Sequence, residues 1–404
     1  NQIMRITTIS ILTPYKENYH GTSALPYHLM VHRPKDVDIE IFSFNNNNLP
    51  AAKIKEVEEE LRVKIHLVPL PRWYKLVFTL HLLFIRLFLK YPIHHYITMP
   101  KKYVESIKSR KPDGIWIYGE EMSKVADQFK GYKRLHTLPD SEALYYYRML
   151  GTRFVMNDWK KYWRCAFMYP KFRHMERDFD RSKTIHYHLV GEADAQFLRE
   201  MAPGIQAHFI RHPHYEVCQH NDERRFHTPI RLLIAGQYNY YMKQDADEIF
   251  KALCNVNQKD KEVLINNYEV TFLGHGWEQI VTNMKDAGWE AKQISFAPDY
   301  IEEVVKHDVQ LVPISIGTGT KGKVLDALAN GLLAIGSKFA MENIAVENGM
   351  SCIIYNNSED VIRVLLSIIN DRQKFELIAS VGRKSVLYEH DRERVSALMF
   401  RLLH

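Results

Sequence analysis

The 404-residue chain holds only four cysteines, Cys165, Cys218, Cys254 and Cys352, too far apart to form a C-x-x-C pair. That spacing argues against a disulfide framework and against a thiolate zinc cluster, so a reducing cytoplasm is the expected home. No low-complexity tract, heptad array or 20 to 50 residue repeat occurs, which excludes solenoids and long coiled coils. The N-terminal run NQIMRITTISILTP lacks a charged head and a long apolar core, so no secretory signal is expected and Met4 could serve as the natural start.

A clean apolar run of about 20 residues, the length needed to span a bilayer, is also missing. The most apolar stretch, WYKLVFTLHLLFIRLFLKYP, is interrupted by Lys75, His81, Arg86 and Lys90. Acidic residues are absent around it: from Leu61 to Val104 there is no Asp or Glu, while Arg62, Lys64, Arg72, Lys75, Arg86, Lys90, Lys101 and Lys102 are basic. Two readings follow. One is a buried helix with solvated basic ends; the other is a surface over residues 61–104 that meets anionic lipid headgroups at the inner face of the membrane. No recognition motif accompanies the charge, so nucleic acid is not an expected partner.

What is present is ordinary globular composition, 46% hydrophobic and 25% charged with a formal net charge of +6, in a chain long enough for two cores. The first half alternates strand-like MRITTISILT, VDIEIFSF, KIHLVPL, GIWIYG and RLHTLPD with helical patterns such as AAKIKEVEEELR. A long helical region follows from Ser141 to Ser182, then TIHYHLVGEADAQFLREM, then the polar, aperiodic RHPHYEVCQHNDERRFHTPIR, which reads as a linker. Beyond it RLLIAG, YEVTFLG, EAKQISFAP, VQLVPIS, LLAIGS and SCIIYN restart the alternation. Two such alternations predict an α/β chain with two Rossmann-like doubly wound domains facing across a cleft. The expected boundaries are 1–215 and 216–385, with a last helix in 386–404 returning toward the first domain.

Within the second alternation, VQLVPISI runs into GTGTKGKV, residues 317 to 324. Gly317, Gly322 and Lys323 match the first seven positions of the P-loop pattern, but the eighth, which carries the hydroxyl that ligates Mg²⁺, is Val324. A glycine turn leading into a helix still suits a phosphate without metal, because backbone N–H groups point outward from the first helical turn. Gly317 and Gly319 would let a diphosphate approach, Thr320 belongs to the same loop, and Lys321 and Lys323 supply charge. Asp326, one turn into the helix, would be placed to accept ribose hydroxyls. Gly236 with Lys243 after one strand, and Gly274 with Gly276 after another, would complete a nucleotide pocket beyond the strand ends.

The run VQLVPISIGTGTKGKVLDALANGLLAIGS, followed by AMENIAVENGMSCIIYNNSEDVIRVLLSI, resembles the C-terminal signature of GT-B nucleotide-sugar glycosyltransferases of the retaining group 1, or family 4, type. The resemblance covers roughly residues 231 to 390 and extends more loosely to LTPYKENYHGTSALPYHLM, DGIWIYGEE and LHTLPDSEALYYYR. It implies that Asp326 holds the donor ribose, matching the second glutamate of the E-x7-E pattern. Thr318 stands where the first, sugar-contacting glutamate would be. Gln237 takes the place of the family's arginine, which leaves Lys243 as the surviving cation there. Glu342 matches an acidic segment near the donor sugar, and Gly21 and Thr22 match a loop that nears the diphosphate. His136, Asp140 and Glu120, at predicted strand ends, are acceptor-side candidates for taking a hydroxyl proton. In retaining members the leaving diphosphate assists that step, so a dedicated base is not required.

The implied activity is sugar transfer from a nucleotide-diphosphate sugar, as co-substrate, to a glycan or lipid-linked glycan, with no metal and no other cofactor at the donor site. Alternatives are a GT-B epimerase, a catalytically silent sugar-binding protein and, last, a P-loop NTPase. Two D-x-D triplets, Asp178 with Asp180 in a solvated charge run and Asp245 with Asp247 at a helix start, are expected to hold no metal. The pairs His186 with His188 and His212 with His214 lack further ligands and read as core or loop histidines. Trp159 and Trp163, four apart, read as packing between domains.

Overall fold

A computed structural model of the chain describes residues 2–152, 158–218 and 224–404. The parts of the helical and linker expectations that fall on 153–157 and 219–223 lie outside the described residues. The chain divides into two compact units, Asn1–Pro213 with Arg392–His404, and His214–Asp391.

The first unit is built on seven strands: β1 (Met4–Ser10), β2 (Val37–Ser43), β3 (Lys64–Leu67), β4 (Gly114–Tyr118), β5 (Arg134–Thr137), β6 (Ile185–Leu189) and β7 (Ala207–Phe209). All neighbours are parallel, in the order β3-β2-β1-β4-β5-β6-β7. Alternation along β4 explains why it is buried throughout: Ile115 and Ile117 enter one apolar core with Ile9, while Trp116 and Tyr118 enter another with Ile6. The last helix, Arg392–Phe400, closes this second core, its Phe400 ring edge-on to Trp116 at 5.4 Å and its Ser396 hydroxyl donating to the Leu29 carbonyl at 2.8 Å.

The second unit has six parallel strands: β8 (Ile230–Ala235), β9 (Tyr268–Leu273), β10 (Glu290–Ile294), β11 (Val309–Val312), β12 (Leu333–Gly336) and β13 (Ile353–Ile354). Their order is β10-β9-β8-β11-β12-β13. The central strands carry apolar residues on both faces: in β8 Leu232 and Ile234 face one core while Leu233 and Ala235 face the other, the pattern expected of a sheet covered on both sides. The chain direction of travel across each sheet reverses once, between β1 and β4 and between β8 and β11, and ligands bind outside the carboxyl ends of strands at such points.

Several expectations change. The segment TIHYHL forms β6, and Ala207–Phe209 adds a further strand. The apolar run at 73–92 is not one buried helix: Arg72–Thr79 is helical, His81 takes a left-handed φ of 52° that ends it, and Leu83–Phe88 is a short 3₁₀ segment. Asp178 and Asp180, read as solvated, are paired, whereas Asp245 and Asp247 stand at the start of the helix Lys243–Cys254 as expected and are hydrogen-bonded there. Asp180 receives the buried Arg134 at 2.7 Å, Asp178 receives Lys90 and Tyr91, Asp245 receives the Tyr355 hydroxyl at 2.6 Å, and Asp247 receives that of Tyr238. Described residues of the polar linker are packed on the second unit, the Cys218 N–H donating to Asn330 and the Arg224 guanidinium to the carbonyls of Asn330 and Val305. The side chains of Trp159 and Trp163 are 67% and 64% exposed.

Candidate functional site

In the second unit β11 ends at Val312, and the chain turns through Gly317 and Gly319 before the helix Gly322–Ala329. Gly317 and Gly319 have φ of 138° and 76°, conformations that side chains rarely adopt. Gly322 is helical with open space where a Cβ would stand, so the glycine that completes the P-loop spacing has no steric duty. Val324 is fully buried in an apolar core with Leu328 and Ala334. A hydroxyl at that position would sit in the core, not at a phosphate, which removes the physical basis of the P-loop reading.

Lysines shape this loop in two ways. The Lys321 ammonium donates to the carbonyls of Thr318 at 2.9 Å and Gly319 at 3.0 Å, clamping the turn that contains Thr320. The Lys323 ammonium lies over the Tyr300 ring, 4.4 Å from its centre, and its stem passes 3.8 Å from where a Cβ on Gly236 would stand. Crowding by the surrounding protein lowers the Lys323 pKa while Asp326 opposes the shift, although the residue keeps an exposed side toward solvent. Asp326 is pushed up to about 7 by burial, with Lys323 pulling it down and Glu216 pushing it up. Tyr215 and Tyr300 feel the same carboxylate, which adds to the upward shift that burial gives both phenols.

The neighbouring strand ends converge on this loop. Gly236 and Gly274 have φ of 126° and 142°, and a Cβ on Gly274 would stand 2.3 Å from the Gly236 carbonyl oxygen, so the ends of β8 and β9 touch backbone to backbone. Gly276, at φ 92°, lies against Tyr238. The Ser315 N–H donates to Tyr241 at 2.8 Å and its hydroxyl accepts from the Asp245 N–H at 3.0 Å, tying the turn after β8 to the turn after β11. Gln237 and Lys243 are exposed on that first turn, Lys243 opening the helix Lys243–Cys254. Glu342 is half-buried in the turn after β12, next to Asn343 at φ 66°.

In the first unit Gly21 and Thr22 lie in the loop between β1 and the helix Ala24–Val31. Gly21 has a φ of 146° and a Cβ there would stand 2.6 Å from Leu12; the Thr22 carbonyl accepts from Tyr118 at 3.4 Å. Glu120 follows β4, and Asp140 follows β5, so both stand beyond carboxyl ends of the sheet. His136 does not. It lies inside β5, fully buried, its Nε2 on the Gly119 carbonyl and its ring against Phe179 and Tyr187. Burial lowers its pKa to about 4, so it is a neutral core histidine out of reach of any substrate.

Carboxylates that sequence reasoning passed over gather beside Glu120 and Asp140. Burial pushes Glu121 up to about 8 with help from Glu120, and Glu176 up to about 8 while the Ser141 hydroxyl and Ala143 N–H donate to it. Glu142 is raised well above its ordinary value by burial and then by Glu120, Asp140, Glu121 and Glu176. The acid pairs in EE and DSE at predicted strand ends were the available signal for Glu121 and Glu142, and Glu176 had none. Among the described residues no group of three or more His, Cys, Asp or Glu is arranged to hold a metal ion.

No family model matches the chain, and no curated protein matches it in sequence. Solved structures do match, over nearly the whole length of both partners. Anabaena HepE in complex with UDP is 12% identical over 97% of this chain and 97% of its own, with a TM-score of 0.62. A variant of S. aureus TarM in complex with fondaparinux, α-GlcNAc-glycerol and UDP is 10% identical over 99% and 100%, with a TM-score of 0.64. The lipopolysaccharide outer core galactosyltransferase WaaB is 12% identical over 99% of each chain, with a TM-score of 0.59. The chain has the GT-B fold. Within this GT-B fold a further residue that no sequence signal marks is Tyr300: its ring carries Lys323, its phenol lies near Asp326, and its buried hydroxyl has no hydrogen-bond partner among the described residues. No motif marks it, because β10 and the turn beyond it are linked to the glycine loop only by folding.

Proposed function

We propose that the protein is a glycosyltransferase that moves a sugar from a nucleotide-diphosphate sugar to a hydroxyl of a glycan or lipid-linked glycan, with retention at the transferred carbon. The observation that carries this reading is the convergence of Lys323, Lys321 and the start of the helix Gly322–Ala329 on the glycine-bearing ends of β8 and β11. Sugar transfer breaks the bond between the anomeric carbon and the diphosphate oxygen and forms one to the acceptor oxygen. Negative charge grows on the departing diphosphate, and fixed cations with outward N–H groups lower the cost of that growth. The acceptor proton passes to the departing phosphate oxygen. Lys321, Lys323 and Lys243 would neutralise the diphosphate in place of a metal, and Asp326 would accept from the ribose. Glu120 and Asp140 would orient the acceptor hydroxyl, and Glu342 the donor sugar.

The donor half is tested by thermal shift over UDP-, GDP- and other nucleotide sugars, followed by turnover with and without excess chelator. Stabilisation by one nucleotide class and chelator-resistant turnover are expected. Activity abolished by chelator and restored by Mg²⁺ or Mn²⁺ would count against the metal-free donor site. A second reading rests on Thr318, whose neutral side chain stands at the position that the resemblance assigns to a sugar-holding glutamate: a protein that binds the nucleotide sugar without turning it over. Donor-dependent stabilisation with no transfer to any acceptor favours it.

A further inference from the structure

The segment between β3 and β4 turns its apolar side chains outward, and the fold holds them there. In the helix Arg72–Thr79, Tyr74 and Val77 are buried, while Trp73 and Leu76 are exposed and Leu80 continues the same stripe three, four and seven residues apart. The left-handed turn at His81 then starts the segment Leu83–Phe88, where none of the side chains is buried and Leu87 and Phe88 are 63% and 82% exposed. This is not a frayed loop. The Lys171 ammonium donates to the Leu89 carbonyl, and Lys90 and the Tyr91 hydroxyl both reach Asp178, at 2.9 and 2.6 Å.

Isolated apolar residues on a surface are ordinary, but a contiguous set rimmed by charge of one sign marks an interaction site. The segment's own charges are basic only, and the carboxylates that meet it from other elements are paired, Asp178 with Lys90 and Tyr91 and Glu121 with His94. No Asp or Glu occurs between Leu61 and Val104, and Arg72 and Lys75 stand exposed on the helix that carries Trp73 and Leu76. The helix Trp159–Arg177, which contributes Lys171 to the anchoring of Leu89, begins with the largely exposed aromatic and basic run Trp159 to Arg164 and carries no acid before Glu176. Aromatic and aliphatic side chains beside Lys and Arg, with acids excluded, are complementary to the headgroup region of an anionic bilayer. No helix among the described residues is long and apolar enough to cross a membrane, so the contact is with the bilayer surface.

We infer that Trp73, Leu76, Leu80, Phe84, Leu87 and Phe88 insert into the interface of an anionic lipid bilayer, with Arg72 and Lys75 on its headgroups. The inference goes beyond the donor reading and does not depend on it. It is tested with the full chain and vesicles of phosphatidylcholine, with and without phosphatidylglycerol, in the absence of any nucleotide sugar. The wild-type protein is expected to sediment with the anionic vesicles, about tenfold more tightly than with neutral ones and less so as salt is raised. A triple variant, Phe84→Ser, Leu87→Ser and Phe88→Ser, should lose at least tenfold in partitioning with its melting temperature unchanged, because these side chains are not buried. Charge reversal by Arg72→Glu with Lys75→Glu should remove the preference for anionic vesicles. Wild-type protein that stays in the supernatant with anionic vesicles at low salt overturns the inference, as does a triple variant that binds equally well. So does a concentration-dependent dimer that the triple variant abolishes in the absence of vesicle binding, since the patch then belongs to a second copy. Donor binding measured on the same samples separates failure of this inference from failure of the proposed activity.

Discussion

The ammonium of Lys323 lies 4.4 Å from the centre of the Tyr300 ring, joining the glycine loop after β11 to the helix that follows β10. Cation and ring are 23 positions apart in sequence, and each is next to Asp326 in space. A charge held this way is already partly stripped of water. It therefore meets an incoming diphosphate at lower desolvation cost than a lysine on an open surface.

The first prediction concerns that charge. Replacing Lys323 by Met keeps the stem and removes the ammonium, and a charge-assisted hydrogen bond is worth about 1.5 to 3 kcal/mol. Affinity for the nucleotide-diphosphate sugar should fall by about tenfold or more, read by calorimetry, and further when Lys321→Ala is added. Lys321 also clamps the carbonyls of Thr318 and Gly319, so its loss should slow donor association as well. Unchanged affinity in the double variant would remove the glycine loop from the donor site.

A second prediction follows from Asp326, whose pKa is raised from 3.8 to about 7 by burial. The folded state then binds more protons than the unfolded state between those values, so this group lowers stability as pH rises from about 4 to about 7, and the whole cost stands above pH 7. Asp326→Asn should raise the melting temperature at pH 8 by roughly 2 °C or more and by nothing near pH 4. The same variant should weaken donor binding at both values. A variant that melts lower at pH 8 would show that the carboxylate is stabilised rather than strained.

His136 gives a prediction of the opposite kind. A general base typically contributes 10² to 10⁴-fold to rate, but this ring is fully buried between Phe179 and Tyr187. His136→Asn should lower the melting temperature through lost packing while the specific activity of the folded protein stays within about threefold. A loss of a hundredfold without destabilisation would restore His136 to the chemistry.

These contrasts show where sequence stops informing. All six strands of the second sheet and the first five of the first were legible, most as short apolar runs bounded by glycine, proline or polar residues and the edge strands β3 and β10 by their place in the alternation. The doubly wound alternation then followed. The glycines at 236, 274, 317 and 319 were legible as well, since a tight turn or close backbone approach leaves few alternatives. Side-chain direction was not. The triplet LHT puts His136 one residue from the strand end, and only the pairing of β5 with its neighbours determines that its ring enters the core. The run at 73–92 was read correctly as apolar and basic, but whether Leu76 faces inward depends on which helical face Tyr74 and Val77 claim.

Carboxylates near Glu120 supply a fourth prediction. Glu121, half-buried with His94 at 3.4 Å, is raised from 4.5 to about 8 by burial and by Glu120. It is another acid whose charged form the fold disfavours, so Glu121→Gln should stabilise the protein at pH 9 and leave it unchanged at pH 4. The measurement is the difference in melting temperature across that range. A constant difference would mean that the amide acts through packing alone.

The last prediction returns to Tyr300. A buried hydroxyl with no partner among the described residues costs the fold the desolvation of a polar group, of the order of 1 to 3 kcal/mol, and removing it is close to neutral or stabilising. Tyr300→Phe keeps the ring under Lys323 and deletes only the hydroxyl. The melting temperature of the ligand-free variant should therefore equal or exceed that of the wild type. If the hydroxyl is held unpaired for the donor, the variant should bind nucleotide sugar several-fold more weakly at the same time. A variant that gains stability and keeps full donor affinity would make Tyr300 only a platform for Lys323, whereas Tyr300→Leu, which removes the ring, should then cost affinity as well as stability.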